Sequence, residues 1–185
     1  MTQRETYPVE VAGITRHLEK FEVAPGVTIA ILNILGDVEL VQAASKELAE
    51  KLGSYQPEVL ITAEAKSIPL IYQLAVDLSL PYVVLRKSYK SYMGETIEAE
   101  TVSITTGKPQ MLYMDEKDRA IVGGKRVVLV DDVISTGSTL EGMRKIVEQT
   151  KAEIVAQAAI FTEGNDEEAW EHIVSLGNLP VWISE

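Results

Sequence analysis

The chain has 185 residues, 46% hydrophobic and 24% charged, with a formal net charge of −11. That size suits one domain with a full core, and the composition is that of a soluble globule. No cysteine is present, so disulfides and thiolate metal sites are excluded, and two distant histidines (His17 and His172) leave little for zinc. The acidic balance argues against general affinity for nucleic acid. No apolar run reaches the length of a membrane span, and the polar start Met1-Thr2-Gln3-Arg4-Glu5 does not resemble a signal peptide. A cytoplasmic protein without membrane contact is therefore expected.

Along the chain, Val41, Ala44, Leu48 and Leu52 form a helical stripe between Leu40 and Leu52, closed by Gly53 and Pro57. Val59-Leu60-Ile61 reads as a buried strand. Ile68 to Leu80 is helical again, with Ile68, Ile71, Ala75 and Leu78 on one face and Pro69 in the first turn. Pro81 to Leu85 is the next strand. From Ser88 to Gly124 the alternation breaks, and Ile97–Ile104 and Gln110–Met114 read as two extended arms around a turn at Thr106-Gly107-Lys108-Pro109. Arg126–Val130 is a strand, Leu140, Met143, Ile146 and Val147 line a helix, and Ile154–Phe161 is a strand. The acidic run Glu163–Glu171 reads as a solvated helix start, and Trp170 and Trp182 as packing anchors. Strand and helix in alternation predict a mostly parallel sheet wrapped by helices. Ligands of such sheets bind beyond the carboxyl ends of the strands.

The run Val127-Val128-Leu129-Val130-Asp131-Asp132-Val133-Ile134-Ser135-Thr136-Gly137-Ser138-Thr139 carries the most chemistry. It reads as a strand apolar on both faces, then two carboxylates, then a small hydroxyl-rich turn opening a helix. Such a turn presents N–H groups and a partial positive charge to a phosphate. Adjacent carboxylates suit vicinal hydroxyls, or a divalent cation bridging to a more highly charged group. A phosphorylated sugar satisfies both halves. Two further loops follow strands: Thr62-Ala63-Glu64-Ala65-Lys66-Ser67 opens a helix, and Arg86, Lys87 and Lys90 form a basic cluster in an acidic chain.

This run resembles the phosphoribosyl pyrophosphate (PRPP) motif of the type I phosphoribosyltransferases. Phe21-Glu22-Val23-Ala24-Pro25-Gly26-Val27-Thr28-Ile29-Ala30 looks like the hood segment of the adenine enzymes, and Met93-Gly94-Glu95-Thr96 resembles their hairpin. The resemblance covers roughly Phe21 to Phe161. It implies a single α/β domain over 1–185 with a small N-terminal hood, mainly 1–37, and a mobile hairpin at about 88–118 that closes over the site.

By the same resemblance Asp131 and Asp132 hold the ribose and are the catalytic acids, Asp132 also serving as a proton acceptor near the base. Ser135, Thr136, Gly137, Ser138 and Thr139 cradle the 5-phosphate. Glu64, Ala65, Lys66, Ser67, Arg86, Lys87 and Lys90 grip pyrophosphate, with a non-proline cis bond expected between Ala65 and Lys66. Thr28, Ile29, Ala30, Val133 and Ile134 contact the base, Ile29 by packing and Thr28 and Ala30 through their main chains. Glu64 is read as metal-linked, with a solvated loop acid as the alternative. The implied cofactor is Mg²⁺, held mainly by substrate oxygens with Asp131 and Asp132 as candidate protein ligands.

The implied partners are PRPP, a purine base, the nucleoside monophosphate, pyrophosphate and a second copy of the chain. The implied reaction is transfer of ribose 5-phosphate to adenine, with hypoxanthine, guanine or xanthine as the alternative acceptors. A non-catalytic PRPP-sensing regulator is the alternative from another class. The sequence departs from the adenine enzymes at Ile29 (usually aromatic), at Ala30 (usually basic), at Ser67 (an arginine there is common) and at Thr105-Thr106, where a Glu-Tyr pair is usual.

Overall fold

The computed structural model describes residues 4–102, 109–166 and 168–184. Its centre is a five-stranded parallel sheet in the order β10-β9-β8-β4-β5. These strands are β4 (Val59–Ala63), β5 (Tyr82–Leu85), β8 (Arg126–Ile134), β9 (Glu153–Glu163) and β10 (Val174–Leu179). Val127 to Val130 are fully buried because helices and strands cover both faces of β8. Alternate side chains supply two separate cores. Leu60, Val128 and Val130 pack with α1 (Val38–Leu52) and α2 (Ile68–Leu78), while Ile61, Val127 and Leu129 share a core with Val122 of α3 (Glu116–Val122) and with α4 (Ser138–Glu148). This alternation follows from the two-residue period of a strand.

The hood is an antiparallel sheet in the order β1-β2-β3-β11, with β1 (Thr6–Val11), β2 (Ile14–Ala24), β3 (Val27–Ala30) and β11 (Val181–Ile183). Its inner face, with Val9, Val11, Leu18, Ala30 and Leu32, joins the α1–α2 core. The Pro25-Gly26 turn links β2 to β3, and Gly26 has the positive φ of 72° that such a turn requires. Asp37 caps α1 by accepting the Leu40 N–H at 3.1 Å, and Arg16 of β2 holds the same carboxylate at 2.7 and 2.8 Å.

The expected extended arms pair as β6 (Ile97–Val102) and β7 (Pro109–Met114). They dock on α4: Thr101 Oγ1 donates to the Ser138 carbonyl, and Leu112 and Thr101 close on Gly142. Arg86 and Tyr113 exchange two main-chain hydrogen bonds of 2.8 Å, which joins β7 to the chain just after β5. The expected turn at 106–109 and the Thr105-Thr106 departure lie, apart from Pro109, outside the described residues.

Three expectations are corrected. Strand β8 does not stop at Val130 but runs through Ile134, because β9 is long enough to keep pairing with it, as at Asp131↔Ala159 and Val133↔Phe161. The acidic run is not a helix start: Glu163 ends β9, buried, and Glu168–Trp170 forms a single 3₁₀ turn. The non-proline cis bond lies between Glu64 and Ala65, one bond earlier than expected.

Candidate active site

The carboxyl ends of β4, β5, β8 and β9 gather the candidate residues on one edge of the sheet. Asp131 and Asp132 lie near the carboxyl end of β8, ahead of its last two residues, Val133 and Ile134. Ser67, at the entry to α2, is buried and brings them together. Its hydroxyl oxygen lies 2.6 Å from Asp131 Oδ1 and 3.1 Å from Asp132 Oδ1, and it accepts the Asp132 N–H at 3.1 Å. The Ser67 hydroxyl is thus engaged with the acids, which leaves its main chain for the expected contact with pyrophosphate. Thr62 steadies the same corner by donating to the Val130 carbonyl at 2.6 Å.

Burial first, and the Asp132 charge second, push the Asp131 carboxyl up to about 7, against the opposing effect of the Ser67 hydrogen bond. Lys66 Nζ approaches Asp132 Oδ2 at 3.3 Å, but at an angle that makes no hydrogen bond, so this buried oxygen has no hydrogen-bond partner. Buried polar atoms are nearly always satisfied, so an acceptor left open at a strand end marks a place for a ligand donor or a cation.

Ser135 to Thr139 follow at once, and with Asp131, Val133, Ile134 and Leu140 they line a hollow of about 90 Å³. Gly137 is the residue before α4, with φ 74° and ψ 2°. A left-handed residue followed by helical ones curves successive N–H groups around one point, which is the geometry of an anion nest. Thr136 and Ser138 hydroxyls lie 3.2 Å apart on its rim.

The pyrophosphate candidates divide. Glu64 Oε2 accepts from Arg86 Nε at 2.7 Å, and Glu64 Oε1 accepts from the Lys87 N–H at 2.6 Å. Burial raises the Glu64 carboxyl, and the Lys87 N–H, the Arg86 guanidinium and their charges outweigh it, leaving it below the usual carboxylate range. Glu64 raises the Arg86 pKa in turn. Glu64 is therefore not a solvated acid: both of its oxygens clamp the loop after β5. Lys90 sits farther along that loop, ahead of the 3₁₀ turn Ser91–Met93, where its N–H meets Met93 Sδ at 3.2 Å.

The base candidates also divide. Val133 and Ile134 belong to β8 beside the phosphate hollow. Over Val27 to Ile29, β3 is an interior strand flanked by β2 and β11. Its main chain there serves the two ladders, so the expected reading of a base edge by the Thr28 main chain meets occupied groups. Ile29 lies opposite Phe21 in the β2–β3 register and opposite Val181 in the β3–β11 register.

Among the described residues no group of three or more His, Asp or Glu side chains forms a metal cage. The Asp131–Asp132 pair with its open Oδ2 fits a cation that takes its other ligands from substrate and water.

An acidic pair on a central parallel strand, followed by an anion nest at a helix start, places both features together at the carboxyl edge of an α/β sheet. The phosphoribosyl transferase domain model matches residues 30–184, and the chain belongs to that family, with the type I fold. It is 27% identical over 158 residues to the purine biosynthesis transcriptional repressor PurR of Bacillus subtilis, covering 85% of this chain and 55% of that one. It is 34% identical over 106 residues to the hypoxanthine/guanine phosphoribosyltransferase of Methanococcus voltae, covering 57% and 53%. The chain spans about half the length of these curated relatives. In fold it is similar to the adenine phosphoribosyltransferase of Thermoanaerobacter pseudethanolicus, with a TM-score of 0.72, 22% identity, and coverage of 87% of this chain and 95% of that one.

Proposed function

We propose that this protein transfers ribose 5-phosphate from PRPP to a free purine, adenine first, giving the nucleoside monophosphate and pyrophosphate. The observation that carries the reading is the Asp131–Asp132 pair, with an open buried oxygen, set directly before the Ser135–Thr139 nest. The nest takes the 5-phosphate and the acids accept the ribose hydroxyls. Lys66, Lys87, Lys90 and Arg86 meet pyrophosphate, Arg86 through the guanidinium nitrogens that Glu64 does not use.

A ring nitrogen of the base attacks C1 of the ribose as the bond to pyrophosphate breaks, and the ring proton passes to a carboxylate, for which Asp132 is the candidate. Charge spreads onto the sugar and the leaving group, so positioning and electrostatics dominate. Mg²⁺ bound at Asp131 and Asp132 would supply charge neutralisation to pyrophosphate. A homodimer is expected from the resemblance. Val38 and Tyr72, both exposed and lining one apolar surface hollow, support that expectation. Among the described residues no helix is long and apolar enough to cross a membrane.

A second reading has its own support. The PurR relative is matched over 85% of this chain, more than the hypoxanthine/guanine enzyme. In that reading the pocket binds PRPP as a signal without turnover. The deciding experiment is pyrophosphate release with PRPP and Mg²⁺ and each of adenine, hypoxanthine, guanine and xanthine. Turnover with adenine supports the proposal, and turnover with another purine alone reassigns the acceptor. PRPP binding without turnover favours the regulator.

A further inference from the structure

Trp170 reaches the phosphate nest from a distant part of the chain. The Cβ that Gly137 lacks would stand 3.1 Å from Trp170 Cη2 and 3.6 Å from Cζ3. The indole edge thus takes the space beside a residue that has no side chain of its own to fix it. Glycine populates positive φ about as readily as negative φ, so nothing in Gly137 itself selects the φ of 74° that the nest requires. Convergent N–H dipoles also repel one another until an anion arrives.

Trp170 is itself anchored. It ends the 3₁₀ turn Glu168–Trp170, its main-chain carbonyl accepts the Ile173 N–H at 2.8 Å, and its side chain packs against the core that includes Ile134, Leu140 and Ile173. Ile134 and Leu140 are the residues on either side of the nest. The wall and both ends of the loop therefore rest on one packed body.

We propose that Trp170 is a positioning residue for the phosphate nest: its indole edge holds Gly137 in the left-handed conformation that aims the loop N–H groups at a sugar phosphate. The inference rests on the PRPP reading above. Holding the loop ready lowers the ordering cost of binding, so the effect falls on affinity and not on the chemical step.

The test uses the full chain as wild type, Trp170→Ala, Trp170→Phe and Trp182→Phe, the last leaving Trp170 as the one tryptophan. Ribose 5-phosphate and PRPP are titrated by calorimetry, and emission is followed in Trp182→Phe. Trp170→Ala is expected to raise the Kd for ribose 5-phosphate about tenfold, and Trp170→Phe to recover most of it. Where turnover is measurable, KM for PRPP rises with kcat within about twofold. Trp182→Phe emission is expected to change, saturating at the calorimetric Kd. This arm needs no variant at Trp170, so it stands if Trp170→Ala fails to fold. Undiminished affinity in Trp170→Ala, or unchanged emission at saturating ribose 5-phosphate, overturns the proposal. Failure of the wild type to bind either ligand overturns instead the PRPP reading on which it rests.

Discussion

Glu64 and Arg86 meet at 2.7 Å across the gap between the loops after β4 and β5. The same carboxylate takes the Lys87 N–H, and Arg86 is bonded through its main chain to Tyr113 of β7. One side chain thus ties the cis-peptide loop, the basic loop and the hairpin together. Glu64→Gln keeps an acceptor for Lys87 but removes the charge that orients Arg86. The pair is partly exposed, so the expected loss of stability is small, about 1 kcal/mol or less by chemical denaturation. The larger effect is expected in PRPP affinity, a rise in KM of about tenfold with a smaller change in kcat.

Asp131 gives a pH signature in the free protein. Its folded carboxyl is raised to about 7, so between the ordinary carboxylate range and pH 7 the folded state holds a proton that the unfolded chain has released. Stability from this group is therefore full below about pH 4 and falls as pH rises toward 7. Thermal melts without divalent cations should show this fall, and Asp131→Asn should remove it.

Ser67→Ala removes the hydroxyl shared by the two acids. Hydrogen bonds to charged groups are each worth about 1.5–3 kcal/mol, so a loss of that order is expected in urea melts. The Asp131 pKa, read by carboxyl NMR, should rise further, since the Ser67 bond is the larger of the two that lower it, the Asp132 N–H being the other.

Gly137→Ala places a methyl group in a left-handed conformation and 3.1 Å from Trp170. The backbone term alone costs about 1–2 kcal/mol. The loop is expected to relieve this by leaving the nest geometry. PRPP affinity measured by calorimetry should then fall by more than about tenfold, while far-UV circular dichroism stays unchanged.

Much of this architecture was legible in the chain because the signals are local. Four apolar residues before Asp131 need cover on both faces, and Leu140, Met143, Ile146 and Val147 mark one face of α4, all buried as read. What escaped depends on residues far apart. Glu64 and Arg86 belong to loops after different strands, so their ion pair has no signature in the local sequence. The contact of the Ser67 hydroxyl with Asp131 and Asp132 joins residues more than sixty positions apart, so nothing local announces it. Glu163 looked solvated in its acidic run, yet β10 pairs with β9 through Leu179↔Glu163 and carries it inside. Strand β11 has three residues, too short to announce itself, and it matters because it fills the side of β3 expected to read a base.

The most direct test is a calorimetric titration of the protein with PRPP and Mg²⁺, set beside the variant Asp131→Asn/Asp132→Asn. The account predicts saturable binding by the wild type and a loss of about a hundredfold or more in the variant, whose amides no longer offer charged acceptors to the ribose hydroxyls. No binding by the wild type, or binding that survives in the variant, would contradict the placement of PRPP at Asp131, Asp132 and the Ser135–Thr139 nest.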